Sequence, residues 1–393
     1  MTILQFLFNV SGAALVAATV PLLADLLPLS LAALVRPRVF EPAPAPDFRL
    51  AVIIPAHNEQ RLIAACVQSL LASANQGTIV YVVAHNCSDL TAQVAAGAGA
   101  TVLELNDPVG GKGRALDYGF NHALARGAQG VLVIDADSTA SANLCGLVSA
   151  HLASGLDALQ CRYLVADTGQ SPRVRLMNLA FLGMNLLRPR GRARLGLSCG
   201  IFGNGFALSA ATLARVPYVA NSVVEDLEYH LHLLRAGICV KFIDGATVLG
   251  EMPEAAPAAS TQRARWEGGR MLMRRTWSAA LTRDVLAGKL RMLEPLLDLR
   301  SLPLAIEAVL LVVSLIIPLH WLRVYALIGL LTLVLYVMAS ALLAPSPAKA
   351  LKALASAPGY VFWKLMMIPR TRLAARKDAR WVRTERNETP PRD

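Results

Sequence analysis

Residues 49–59 read RLAVIIPAHNE. An apolar run this short, closed by Pro55 and then by His57, Asn58 and Glu59, is the pattern of a strand buried on both faces that ends on a polar loop. The pattern returns three times. TIVYVVA at 78–84 leads into His85, Asn86 and Asp89, TVLEL at 101–105 leads into GGKG at 110–113 with Lys112, and GVLVI at 130–134 runs into Asp135-Ala136-Asp137. The stretches between them predict helices over 59–73, from an N-cap at Ser88 or Asp89 to 97, and from the glycine-rich turn to 126. Strand and helix alternating in this way specify an α/β fold, a mostly parallel Rossmann-like sheet of βαβ units, expected over residues 47–260. Ligands of such open sheets lie beyond the carboxyl ends of the strands. The polar groups just named all fall there.

Composition places this domain at a membrane. Of 393 residues, 55% are hydrophobic and 17% charged, with a mean hydropathy of +0.46; soluble domains average about 45–50% and about 25%. This argues against both a freely soluble enzyme and a disordered chain. Residues 2–35 contain one acid, Asp25, and no base, so the segment 1–35 is long and apolar enough to span a bilayer. Its first basic residues, Arg36 and Arg38, come after the apolar run, the reverse of a signal peptide. Residues 36–46, ending in the extended EPAPAP of 41–46, are the expected linker to the domain.

Two more apolar runs, 301–319 with Glu307 inside it and 324–344, predict a transmembrane hairpin within 300–345. Residues 346–393 then form an interfacial segment, with Tyr360, Phe362, Trp363 and Lys364, and a basic tail holding nine Lys/Arg against four acids over 364–393. Three spans with both basic flanks retained on the inner side predict a multi-pass protein of the inner membrane, N-terminus outside and catalytic domain cytosolic.

The formal charge is +11. Between Thr168 and Val224 stand seven arginines and no acid, but few aromatics are interleaved with them, so no nucleic-acid partner is expected. A helix through 176–187, flanked by Arg173 and Arg175 on one side and Arg188 to Arg194 on the other, is expected to rest on membrane lipids, with the arginines on lipid or lipid-linked phosphates. Six scattered cysteines without a CxxC pair indicate free thiols, and the seven histidines show no metal-ligand spacing.

Several constellations carry chemistry. If the strand geometry continues through Asp135 and Asp137, both carboxylates face one side and can share a hard divalent cation, whereas a simple solvated turn is the alternative. GGKG can cradle phosphate with backbone N–H groups and Lys112 or serve only as a turn, since it lacks P-loop spacing. Glu225 and Asp226 open a helix with Glu228 and His230; such acids either complement the helix dipole or supply a general base. Gln262, Arg265 and Trp266 lie in a helix rich in further arginines, within an expected 261–299 segment of interface helices.

Taken in order, VIIPAHNE (52–59), HNCSD (85–89), GKGRAL (111–116), VIDADS (133–138), FGNGFALS (202–209), VVEDLEYH (223–230), QRARW (262–266) and WVRT (381–384) resemble a membrane-bound family 2 glycosyltransferase of the GT-A fold. This is the superfamily of cellulose, chitin and hyaluronan synthases and of ceramide glucosyltransferase. The resemblance implies a nucleotide-sugar donor, taken as a UDP-sugar, held by Pro55, His57, Glu59, His85, Asn86, Asp89, Lys112, Asp135, Gln262 and Arg265. It implies Mg2+ or Mn2+ on Asp135 and Asp137, and Asp226 as catalytic base. An acceptor site would be lined by Gly203, Asn204, Gly205, Glu225 and Trp266. His85 stands where many relatives carry aspartate. The implied reaction is inverting transfer to a lipid-linked or saccharide acceptor in envelope or exopolysaccharide synthesis, with polysaccharide assembly partners. A processive synthase and a nonenzymatic nucleotide-sugar-binding subunit are the alternatives; the first would call for more spans, the second for loss of the DxD or ED acids.

Overall fold

The computed structural model describes residues 3–35, 41–108, 110–166, 172–219, 222, 224–251 and 256–374. The late WVRT motif, the basic tail beyond residue 374, Arg36 and Arg38 lie outside the described residues. The chain forms two compact units, one of Pro37–Thr168 with Gly196–Met252, the other of Met1–Arg36, Gly169–Leu195 and Pro253–Asp393.

The first unit is built on an eight-stranded sheet. Its strands are β1 (Leu50–Ala56), β2 (Thr78–His85), β3 (Thr101–Leu105), β4 (Gly130–Val133), β5 (Ser138–Ala140), β6 (Ala158–Val165), β7 (Phe206–Ser209) and β8 (Lys241–Gly250), in the order β3-β2-β1-β4-β7-β6-β8-β5. The first four positions are mutually parallel; β7 enters antiparallel between β4 and β6. The winding reverses between β1 and β4, and such a reversal opens the crevice where ligands of α/β sheets bind.

Side-chain alternation explains why β1 reads as one apolar run. Leu50, Val52 and Ile54 face one core with Leu132, Ile63 and Val148; Ala51 and Ile53 face the other with Val131, Phe120 and Tyr229. Helices Ile63–Ser73 and Leu144–Ala153 cover the first face, and Lys112–Ala125 and Glu225–Arg235 the second. The first helix begins at Ile63 rather than 59, because residues 57–62 are spent on the loop at the strand end. All six cysteines are free thiols.

In the second unit, helices Ile3–Ala33 and His320–Leu342 are long and apolar enough to cross a membrane. The expected hairpin has one short arm. Helix Leu304–Ile316 has 13 residues, or about 20 Å at about 1.5 Å per residue, short of a hydrocarbon core of about 30 Å. It forms a third candidate span only together with Leu290–Arg300, from which it is bent by 82°. Two prolines account for its length. Pro303 is its N-cap, and extended Ile317, ψ 132°, precedes Pro318 just beyond its end; the residue before a proline is driven out of the helical region.

The arginine-rich segment also departs from expectation. Helix Pro172–Leu182 continues through a π-helical turn, Gly183–Leu187, into helix Arg188–Arg194. Arg188 and Arg192, each 6% exposed, are buried in ion pairs with carboxylates of their own unit rather than offered to lipid phosphates.

Leu132 is fully buried in the sheet's first core. Leu132→Ala is expected to cost about 2–5 kcal/mol through lost burial and the cavity left behind, read as a lowered thermal midpoint of the detergent-solubilised protein.

Candidate active site

Two asparagines turn the chain at the ends of β1 and β2. Asn58 (φ 56°) and Asn86 (φ 51°) hold left-handed backbone, a region asparagine enters more readily than most residues. Their side chains then tie the loops together. Asn58 Oδ1 accepts the Ser88 N–H at 2.7 Å, and Asn86 exchanges bonds of 2.8 and 2.9 Å with the backbone of Asp107. His57 Nδ1 lies 2.8 Å from the carbonyl oxygen of His85, and the Glu59 N–H donates to Thr91 Oγ1 at 2.8 Å.

Pro55, His57, Glu59, His85, Asn86 and Asp89 therefore line neighbouring ends of two adjacent strands. The helix Thr91–Gly97 has Leu90 as its N-cap rather than Ser88 or Asp89, and Asp89 accepts the Thr91 N–H at 3.0 Å and the Gln60 N–H at 3.3 Å. His85 is 5% exposed, and its Nε2 has no partner among the described residues. Burial, against the pull of Asp107, holds its imidazole below the ordinary range.

A second cluster forms across the reversal. Lys112, at the start of its helix, donates to Asp135 Oδ1 at 2.5 Å and to the carbonyl oxygen of Gly203 at 2.7 Å. The two aspartates do not continue the strand as expected. β4 stops at Val133, and the Ser138 N–H donates to the Asp135 carbonyl at 3.1 Å, closing a turn before β5. Ala136 between them is buried in the core, 4% exposed, while Asp135 and Asp137 on either side are half-buried.

The loop at 202–205 is fastened to this turn. Asn204 Oδ1 accepts the Asp135 N–H at 3.1 Å, and Asn204 Nδ2 donates to Ser138 Oγ at 2.8 Å; that hydroxyl donates to Asp137 Oδ1 at 3.1 Å. Gly205 follows, its N–H donating to Val133 at 2.9 Å. Gly203 has φ 75°, and a Cβ there would stand 3.2 Å from Asp226 Oδ2 and 3.5 Å from Lys112 Nζ. The left-handed φ favours glycine there, and any Cβ would crowd the Asp226 carboxylate.

Sequence reasoning missed Gln160. Fully buried in β6, it accepts the Phe202 N–H at 3.0 Å and donates to the Asn204 carbonyl at 2.7 Å, holding the loop from beneath. A single amide in the apolar run ALQC at 158–161 was the available signal.

Charge follows from this packing. Burial raises the Glu225 carboxyl to about 7, with Lys112 opposing and Asp226 adding to the rise. Burial also raises Asp226, opposed by the Leu227 N–H, which donates at 2.8 Å, and by Lys112. Lys112 feels burial in the other direction, yet Asp135 and Glu225 outweigh it and keep the ammonium charged. Glu228 and His230 are occupied elsewhere, bonded to the Ser222 N–H at 3.0 Å and Ser198 Oγ at 2.8 Å. Gln262, Arg265 and Trp266 lie on helix Ala256–Leu286 of the helical unit; Gln262 is 9% exposed, the other two half-buried.

A sheet that reverses at β1/β4, with acids at that point and an acid pair opening a following helix, is a ligand-binding α/β architecture. The model of the family described as "Glycosyltransferase like family 2" matches residues 46–269. This is more than half of the chain, which belongs to that family and is a glycosyltransferase. Protein RfbJ of Shigella flexneri is 37% identical over 106 residues, covering 27% of this chain and 78% of that one. The mannosyltransferase PcManGT from Pyrobaculum calidifontis, solved with GDP-Man and Mn2+, has a similar fold, with TM-score 0.55 and 19% identity over 94% of this chain and 97% of that one.

The raised Glu225 carboxyl sets a pH signature. The native state holds a proton there that the unfolded chain has released, so this group's contribution to stability is present below its ordinary value of 4.5 and is lost as pH rises through about 7. Glu225→Gln is expected to flatten the decline of the ligand-free protein's thermal midpoint over that window and to leave the midpoint higher than wild type above pH 7.

Proposed function

We propose that the protein transfers a sugar, with inversion, from a nucleotide-sugar to a lipid-linked acceptor at a membrane surface, in envelope or exopolysaccharide synthesis. The observation that carries this reading is the convergence of Lys112, hydrogen-bonded to Asp135 and to the Gly203 carbonyl, with Asp226, whose carboxylate faces Gly203 and adds to the field on the Lys112 ammonium. That convergence sets a cation and a metal-type carboxylate turn for a diphosphate next to a carboxylate able to take a proton. The apolar helices support a membrane acceptor, and the GDP-Man and Mn2+ of the Pyrobaculum calidifontis enzyme support the donor class and the metal.

In this mechanism the loop cluster from His57 to Asp89 receives the nucleoside, with Asn86 shaping its floor. Lys112 meets the diphosphate, and its ammonium stays charged in the company of Asp135 and Glu225. The acceptor hydroxyl enters beside Gly203, where no side chain obstructs Asp226. Asp226 takes its proton as the oxygen attacks the anomeric carbon opposite the leaving diphosphate. Raising a carboxyl above its ordinary value suits that task, because a base nearer the operating pH accepts a proton more readily. Glu225 shares the same proton-rich environment and holds the pair's charge down.

Asp135 and Asp137 would supply hard oxygen donors, the donor chemistry that Mg2+ or Mn2+ takes. Such an ion, when bound there, supplies neutralisation of the diphosphate. Gln262, Arg265 and Trp266 are assigned to diphosphate support and the acceptor, with the sheet unit cytosolic beside the inner membrane.

Asp226→Asn is expected to lower kcat by about 10²–10⁴-fold, the usual worth of a general base, while nucleotide-sugar binding measured by calorimetry stays within error. Chelation by EDTA should stop turnover of the wild type, and added Mn2+ or Mg2+ should restore it. Full turnover in either case removes the assignment.

A further inference from the structure

Asp25 is the one ionisable group in helix Ile3–Ala33, and it is 2% exposed. A carboxylate in a membrane-length apolar helix is tolerated when it faces the interior and finds a partner. Its partner is Arg188, itself buried, which also pairs with Asp298. The chain of contacts then continues. Arg192 meets Glu294 at 2.6 Å and Asp298 at 3.4 Å, and Arg270 reaches the Asp298 carboxylate at 2.9 Å and bonds the Asp298 carbonyl as well. Among the described residues three guanidiniums face three carboxylates, so their formal charges balance.

A second contact fixes the same helix pair. A Cβ at Gly191 would collide with the backbone of Leu29, so helices Ile3–Ala33 and Arg188–Arg194 touch main chain to main chain at that point. Asp25–Arg188 and Leu29–Gly191 lie about one turn apart on both helices, an ion pair followed by a bare backbone crossing. Two such points set both depth and rotation. Apolar packing alone holds rotation weakly in lipid, where the surrounding tails are as apolar as the helix. An anchor requires no charge at all, since replacing a buried ion pair by apolar side chains is often neutral for stability.

We infer that Asp25 is a positioning residue for transfer, and that the N-terminal helix is a working part of the enzyme rather than only its anchor. Through Arg188 and Asp298 it sets helix Ala256–Leu286, where Arg270 follows Gln262, Arg265 and Trp266 on the same rod. The inference rests on the proposed role of those three residues at the donor diphosphate and acceptor.

The test uses the full chain in lipid nanodiscs and compares Asp25→Asn, Asp25→Leu, Arg188→Leu and Asp25→Leu with Arg188→Leu. Both single leucine variants should lose thermal stability, and the double variant should recover it, because no charge is left buried without its partner. Transfer should not recover. A kcat at least ten-fold below wild type is expected in Asp25→Asn and in the double variant, with donor KM unchanged. Wild-type kcat in the stability-restored double variant would overturn the inference and leave the pair a matter of folding alone. Loss of turnover in Arg188→Leu with full turnover in Asp25→Asn would also overturn it, pointing to direct ligand contact by Arg188. Trp266→Ala is the separate control: if it transfers at the wild-type rate, the reading of that helix fails whatever the Asp25 variants do.

Discussion

One ammonium group organises the candidate active site. Lys112 leaves its helix at the end of the third βα turn and bonds a carboxylate from the fourth strand's turn and a carbonyl from the loop before β7, with the Glu225–Asp226 pair close by. Each of those groups is hard to bury alone: acids near one another repel, and a partly desolvated lysine tends to shed its proton. Together they are mutually compensating. The acid pair can be held with its carboxyls raised toward neutrality because the cation beside them limits the rise, and the cation keeps its charge because the acids surround it.

The parallel half of the sheet was legible because its strands are buried on both faces and so read as unbroken apolar runs bounded by polar loops. β1 to β4 fall within a residue or two of their sequence reading. The positions of His57, His85, Asn86, Asp89, Lys112 and Asp135 followed from the same rule, since each sits at a strand's carboxyl end. What the pattern does not carry is anything long-range. Gln160 works through two hydrogen bonds to a loop over 40 residues away, and in the sequence it is one amide among apolar neighbours. The antiparallel insertion of β7 depends on its pairing with β4 and β6, which no local period encodes.

The arginine-rich segment was misjudged for a related reason. Its lack of nearby acids suggested an outward, lipid-facing surface. The counter-charges of Arg188 and Arg192 are 102 to 163 residues away in sequence, on Glu294, Asp298 and Asp25. Charge balance belongs to the folded neighbourhood rather than to the window in which the charges are counted. Likewise the apolar run at 301–319 was long enough to span, and its prolines, placed at 303 and 318, shortened the helix that forms within it.

The separation between Asp25 and Arg188 also bears on how the protein is made. The two partners are 163 residues apart, and ribosomes add about 5–20 residues per second, so on the order of ten to thirty seconds pass between their syntheses. During that interval the N-terminal helix exists without its arginine, and the carboxylate that ends up buried has no partner to offset its burial. The contact that fixes the rotation of the first helix therefore waits for chain made after β6.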